Sequence, residues 1–266
     1  MKVDLTIDFD FFIREDPDWD FGHAESMFFL TTLWNLRYAD HDLQKGSDIG
    51  TFADFKPIQI MEKLREKGFR FSKNTKFSIG ESHAGIIKAF DGKNHAEMLI
   101  NIDAHHDFFG EIENKCLPNG DSKVQAGIII DKYIINAGNW LNYFHDKKFY
   151  KNVLIIYPKW KEIGNDGNTK NLPYKILKWD DLPKDDYEIQ GIYICRSGCW
   201  VAPHHDEDFK LFVTLLSLNC NKGRGYTLIG EIDPMIEREI DWDLIKEHKE
   251  HLEKFREDIK KRYEKR

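Results

Sequence analysis

The 266-residue chain has little cysteine, no long apolar stretch and no excess of basic charge, and each shortage removes a class of function. Its four cysteines, Cys116, Cys195, Cys199 and Cys220, lack the density of a disulfide-stapled secreted domain and read as reduced, buried thiols. The CxxxC pair at 195 and 199 has no second pair with which to complete a zinc site. No apolar run approaches the roughly 20 residues that span a bilayer, and the opening MKVDLTIDFD puts acids where a secretory signal needs an apolar core. These features predict a cytoplasmic protein with no membrane partner. A formal net charge of −7 argues against a nucleic-acid partner, since phosphate binding calls for a basic surface. No internal repeat, low-complexity tract or Pro/Gly/Ser linker divides the chain, so a single domain over 1–266 is expected.

What is present is apolar material in short pieces. Hydrophobic residues make up 41% and aromatics 14%, the composition of a folded globular protein. VDLTIDFDFF, MLINIDAHHD, NVLIIYPKW, GIYICRSG and YTLIGEIDP each carry a short Val/Ile/Tyr-rich run that ends in polar or charged residues. Such runs fit strands buried on both faces of a mostly parallel sheet. Helices are predicted over 57–67, with Pro57 at the start, Ile58, Met61 and Leu64 on one face and Gly68 as the stop; over 122–137; and over 206–219, where Phe209, Phe212, Val213 and Leu216 share a face. A long amphipathic helix is predicted over 241–266, with Leu244, Ile245, Leu252, Phe255 and Ile259 on one side, to dock on its own domain or to meet another subunit in a homo-oligomer. Strands alternating with helices imply an α/β fold with ligands beyond the carboxyl ends of the strands. That is where this sequence keeps its acids and histidines.

INIDAHHDFF delivers Asp103, His105 and Asp107 at i, i+2 and i+4, one face of an extended chain. LTIDFDFF offers Asp8 and Asp10 in the same way. Carboxylates crowded together repel each other's ionised forms, and acids in buried strands are rare unless paired, so shared cations account for both strands at once. KFSIGESHAG adds His83 at the end of a third run. Hard oxygen donors with two imidazoles and no thiolate suit Mn²⁺, with Fe²⁺, Zn²⁺ or Mg²⁺ as alternatives. Two such ions activate water and polarise the group it attacks, which is hydrolytic chemistry.

These residues resemble the arginase and agmatinase pattern, in which a strand-end DAHxD, an upstream His and a DxD strand hold two manganese ions. The resemblance implies that His83, Asp103, Asp107 and Asp8 ligate one ion and His105, Asp103, Asp8 and Asp10 the other, with Asp103 and Asp8 bridging. It departs in order, because DFD opens this chain instead of following DAHHD, and in the SHAG turn at His83. The implied fold is therefore a three-layer arginase/deacetylase-like α/β fold with circularly permuted motifs. The chain is also similar to an arginase-related group with E-D-H, D-S-H-x-D, N-W, P-x-W and D-I-D-L-D-F-F elements, matched here by ESH at 81–83, DAHHD at 103–107, Asn139-Trp140, PKW at 158–160 and IDFDFF at 7–12. That group includes bacterial peptide arginases. The resemblance implies a hydrolase that converts arginine residues of a ribosomal precursor peptide to ornithine and urea.

Guanidinium hydrolysis needs an acid to hold the cation and a donor for the leaving amine. Glu81, His106, His204 and His205 are the candidates, His204 and His205 being equally placed to cap the helix that follows. Asn139 and Trp140 are candidates for the pocket wall. Arg196 is expected to pair with Glu231 or Asp233, or to meet a substrate carboxylate. The alternatives are a small-molecule ureohydrolase, a deacetylase using one zinc, and a non-enzymatic binding protein that the metal stabilises.

Overall fold

Seven strands run in one direction through the centre of the molecule. The computed structural model describes residues 1–14, 27–40, 55–90, 96–109, 128–130, 133–164, 172–221 and 225–264. Strand β1 (Lys2–Asp8) is flanked by β3 (Met98–Ile102) and β8 (Tyr187–Cys195), and the sheet extends through β6 (Asn152–Tyr157) to β7 (Lys175–Lys178) on one side, and through β2 (Phe69–Gly80) to β9 (Thr227–Ile229) on the other. Every pairing in this sheet is parallel. Helices cover both faces, so the architecture is a three-layer α/β fold.

Alternation along the strands decides which face holds what. Val3, Leu5 and Ile7 of β1, with Ile100 and Ile102 of β3, enter one core. There they meet Ile60, Met61 and Leu64 of α2 (Ile60–Glu66) and Phe209, Phe212, Val213 and Leu216 of α5 (Asp206–Asn221). Apart from Met61, which keeps 8% of its surface, each of these side chains is fully buried and contributes about 1.5–3 kcal/mol relative to exposure. The other core gathers Leu99, Val153, Ile155 and Tyr193 against Ile86 and Ile87 of α3 (Ile86–Ala89) and Trp140, Leu141 and Phe144 of α4 (Trp140–Asp146). On this second face the polar residues Thr6, Asp8, Asn101 and Asp103 continue the strands toward their carboxyl ends. A third cluster joins Trp34 and Tyr38 of α1 (Met27–Asp40) to Ile245 of α6 (Trp242–Glu264).

Three readings of the sequence need correction. The helix predicted over 122–137 is not found at the described residues of that range: Ile128–Ile130 (β4) pairs antiparallel with Tyr133–Ile135 (β5) as a small separate sheet, while residues 122–127, 131 and 132 lie outside the described residues, as does Cys116. An isoleucine-rich run carries no period that separates a short strand from a buried helix, and its β-branched side chains favour the strand. The helix over 57–67 begins as a 3-10 turn, Pro57–Gln59, whose tighter winding throws Ile58 to the surface (53% exposed) while Ile60, Met61 and Leu64 stay buried. Gly68 stops the helix with φ +91, and a Cβ there would collide with the Asp185 carbonyl. The third correction concerns the backbone of the site. Among the described residues no helix is long and apolar enough to cross a membrane.

Candidate metal centre

Neither ligand strand stays extended through its ligands, contrary to the period-two expectation. β1 stops at Asp8, whose side chain accepts the Asp10 N–H (3.2 Å) and opens a 3-10 turn over Phe9–Phe12. Burial of Phe9, Phe11 and Phe12 in the α5-side core locks that turn, and Asp10 is left pointing along the sheet end. β3 stops at Ile102, the chain bends through Asp103–His105, and Asp107 takes φ +51. Asp103 and Asp107, four residues apart, therefore converge by folding the chain back, a conformation in which a non-glycine residue is unusual and short-chain acids are tolerated. After β2, Ser82 caps the turn His83–Gly85 by accepting the Ala84 N–H.

Two sets of side chains result, and they share one residue. Asp8, His83 and Asp103 form one; Asp10, Asp103 and His105 form the other; each could hold a metal ion. His83 Nδ1 faces Asp107 Oδ2 at 2.8 Å, Asp103 Oδ2 at 3.1 Å and Asp8 Oδ2 at 3.3 Å. His105 Nδ1 lies 3.0 Å from Asp10 Oδ2 and 3.8 Å from Asp103 Oδ1. The two oxygens of Asp103 thus face different sets.

The donor set fits a cation. His83 is 1% exposed, its Nε2 is 2.8 Å from the Thr6 hydroxyl, and Nδ1, ringed by three carboxylates, makes no well-directed hydrogen bond to any of them. Burial and then the neighbouring charges of Asp10 and Asp103 push the Asp8 carboxyl well above the usual range. Burial and the Asp103 charge push Asp107 up to about 7, against the pull of His83. For Asp103 burial opposes ionisation, but the close contact and charge of His83 and the charge of His105 outweigh it and hold the group at about 2. Burial likewise opposes a charged His83, yet the carboxylates of Asp103, Asp107 and Asp8 crowded around Nδ1 carry its pKa well above the ordinary value.

Several supporting residues escaped the sequence reading. Thr6 and Asn101 are register partners on β1 and β3, each fully buried and each two residues before a ligand, on the same strand face. Asn101 donates to Asp103 Oδ2 (3.1 Å). Tyr193, beside Thr6 on β8, stacks on His83 at 6.2 Å and donates to the Ser82 carbonyl at 2.6 Å. A Cβ at Gly80 or Gly85 would strike the Tyr193 hydroxyl, so both positions let the His83 turn sit close. A lone polar residue inside an apolar strand was the available signal.

Among the other candidates, Trp140 is fully buried and donates Nε1–H to Asp107 Oδ2 at 2.5 Å, its ring 4.8 Å from His83. Asn139 binds its own turn, accepting from the Asn136 N–H (2.8 Å) and donating to the Ile134 carbonyl (3.2 Å). His106 turns into its loop, where Nδ1 accepts the Phe108 N–H and the ring lies 3.9 Å from Phe109. His204 Nδ1 is 2.6 Å from the Tyr38 hydroxyl and His205 Nδ1 3.2 Å from Asp208 Oδ2, both in a 3-10 turn that leads into α5. Glu81 Oε2 accepts from Arg196 Nε at 2.7 Å and forms an ion pair with its Nη2 at 2.6 Å. Arg196 therefore pairs with Glu81 and, at 3.3 Å, with Asp206, not with Glu231 or Asp233. None of these four candidate histidine and glutamate groups belongs to either ligand set.

The exposed side of the centre is the His105 side. His105 keeps 16% of its side-chain surface, whereas the other five candidate ligands keep 8% or less. Its ring lies 5.0 Å from that of Trp200. Trp200 stands on a turn held by carbonyl acceptors: Gly198 accepts from Trp34 Nε1 (2.6 Å) and Arg238 (2.7 Å), Cys199 from Arg37, and Val201 from Arg238 (2.8 Å). Comparison of the chain with protein-family models, with curated proteins and with solved structures gives no match in any of the three.

Proposed function

We propose that this chain is a binuclear-manganese hydrolase of guanidino groups, and that its substrate is an arginine residue in a ribosomally made precursor peptide, converted to ornithine with release of urea. The observation that carries this reading is Asp103, whose Oδ2 faces the His83 set and whose Oδ1 faces the His105 set. A carboxylate so placed would serve as a ligand in both sets. In this reading His83, Asp103, Asp107 and Asp8 hold the first, and His105, Asp103, Asp8 and Asp10 the second. Oxygen-rich ligation with one imidazole per ion suits manganese over zinc. Two manganese ions, when bound, supply Lewis acidity and an activated water, the chemistry that hydrolyses a C–N bond of a guanidinium.

The chain's own residues do the rest. Thr6 accepts Nε2–H of His83 and thereby turns the Nδ1 lone pair inward. Asn101 and Trp140 orient Asp103 and Asp107 by donating to them. The clustered carboxylates favour a cationic group at the open His105 side, and the apolar packing around them excludes bulk water. The β1 motif opens the chain yet lies beside β3, so the order DFD before DAHHD is compatible with a circularly permuted arginase-like arrangement.

Incubating the manganese-loaded protein with an arginine-containing precursor peptide tests this. The expected result is a loss of about 42 Da per modified arginine with equimolar urea, as for hydrolytic removal of the guanidino carbon. Free arginine should be a poor substrate. Rapid turnover of free arginine without peptide mass change overturns the peptide substrate, and a single tightly held zinc favours the deacetylase alternative.

A further inference from the structure

Residues 191–203 run from the middle of β8 into the turn before α5, and every one of them is buried except Trp200, which is half-buried. The backbone that presents this side chain is held on all sides. Ser197 takes φ +56, a conformation that a non-glycine residue adopts at a cost and that clusters at functional sites. Its carbonyl accepts the N–H groups of Trp200 (2.8 Å) and Val201 (3.0 Å). A Cβ at Gly198 would strike Glu81 and Arg238, so the turn sits directly on the buried ion pairs. Trp34, Arg37 and Arg238, each 5% exposed or less, aim their donors at the carbonyls of Gly198, Cys199 and Val201. An indole fixed in this way loses little conformational freedom when a ligand packs against it.

The indole stands at the open edge of the centre. Its ring lies 5.0 Å from that of His105, the most exposed of the six candidate ligands. Arg37, 1% exposed, lies 5.9 Å over the same ring from the interior. A cation already on the ring weakens its attraction for a second one, so what Trp200 offers an incoming group is apolar surface. An arginine side chain that enters beside His105 carries a methylene stem behind its guanidinium, and such stems bury along apolar surface while the charged head stays in polar surroundings. We propose that Trp200 is a specificity-determining residue of the centre, its indole packing against the methylene stem of the substrate arginine while the guanidinium lies at the ligand sets. The inference rests on the hydrolase reading and narrows it: the substrate is a guanidine carried on an aliphatic chain, and a guanidine without a chain forgoes the contact.

Two measurements on the manganese-loaded full chain test the proposal, one of them independent of turnover. With an arginine-containing precursor peptide, Trp200→Ala should raise KM about tenfold, what burial of two methylenes is worth, and leave kcat within about threefold, the pattern of lost uniform binding. Trp200→Phe should restore most of the affinity, and both variants should retain two manganese ions and the wild-type melting curve. An unchanged KM in Trp200→Ala overturns the proposal, as does loss of manganese or of stability, which assigns the indole to packing against His105. The second measurement is the emission of Trp200, taken as the difference between wild type and Trp200→Phe. N-acetylarginine methylamide should shift it to shorter wavelength as the stem covers the ring, and methylguanidine should not. Equal responses to the two, or none to either, overturn the stem contact. Wild type that hydrolyses no arginine peptide but shows the emission shift refutes the hydrolase reading and leaves the contact standing.

Discussion

The hydroxyl of Thr6 lies 2.8 Å from Nε2 of His83, across 77 residues of sequence, and fixes which nitrogen of that ring faces the carboxylates. Thr6→Val keeps the shape of the side chain and removes the partner. Manganese affinity at the His83 position should fall about 10- to 100-fold, the usual cost of losing a residue that orients a metal-bound histidine. Calorimetric titration of the two proteins reads this directly, and equal affinities would show that the hydroxyl does not orient the ligand.

The two ligand sets differ in what their loss should do. Asp10→Ala removes a carboxylate from the His105 set alone and should reduce the manganese retained after dialysis from two ions to one, by elemental analysis. Asp103→Ala removes the shared carboxylate and should abolish retention of both, while the protein still melts cooperatively, because its two apolar cores do not depend on the metal. An Asp10→Ala protein that retains both ions contradicts the assignment.

Metal affinity should rise with pH. Asp107 keeps its proton up to about 7, and Asp8 and His83 are also held protonated above their ordinary ranges. An ion must displace those protons, so as pH falls through 7 the competition strengthens and binding weakens. Titrations at pH 6 and pH 8 in buffers of different ionisation heat should show weaker binding and more protons released at pH 6. Tighter binding at pH 6 has the wrong sign for this arrangement.

Arg196 is wholly buried between Glu81 and Asp206, and Arg238, also buried, joins Asp206 to the turn carrying Trp200. Removing one member leaves charge uncompensated in the interior. Glu81→Ala should cost about 3–5 kcal/mol of stability by urea unfolding, as for other broken buried pairs. A loss below about 1 kcal/mol would mean that Asp206 alone satisfies Arg196.

How legible this was in the sequence varied with the kind of signal. Strands buried on both faces announce themselves as apolar runs, and β1, β3, β6 and β8 were read from them. β7, with the sequence KILK and no fully buried residue, carries too little apolar pattern to be read at all. The helix expected over 206–219 was legible because Phe209, Phe212, Val213 and Leu216 repeat at the helical period, and it runs on to Asn221. The residues of the candidate site were legible as a set because acids and histidines at strand ends are rare, but their geometry was not. Period two predicted convergence of Asp103, His105 and Asp107 on an extended chain, and the chain instead turns back at Asp107. Nor could a sequence show that Glu81 faces Arg196, 115 residues away, since pairing at that range is set by packing of the whole sheet.

The place of β1 in the sheet has a consequence for biosynthesis. The strand emerges before any of its partners, yet it occupies an interior position between β3 and β8, which begins at Tyr187. At translation rates of about 5–20 residues per second, Lys2–Asp8 waits on the order of ten to forty seconds for β8 to be made. For that interval an apolar strand followed by Phe9, Phe11 and Phe12 has one edge and both faces unprotected, the kind of segment that chaperones capture and that aggregates when they do not. A nascent chain released before Tyr187 keeps that edge open permanently, so truncated products of this protein should be insoluble even when they contain every one of the six candidate metal ligands.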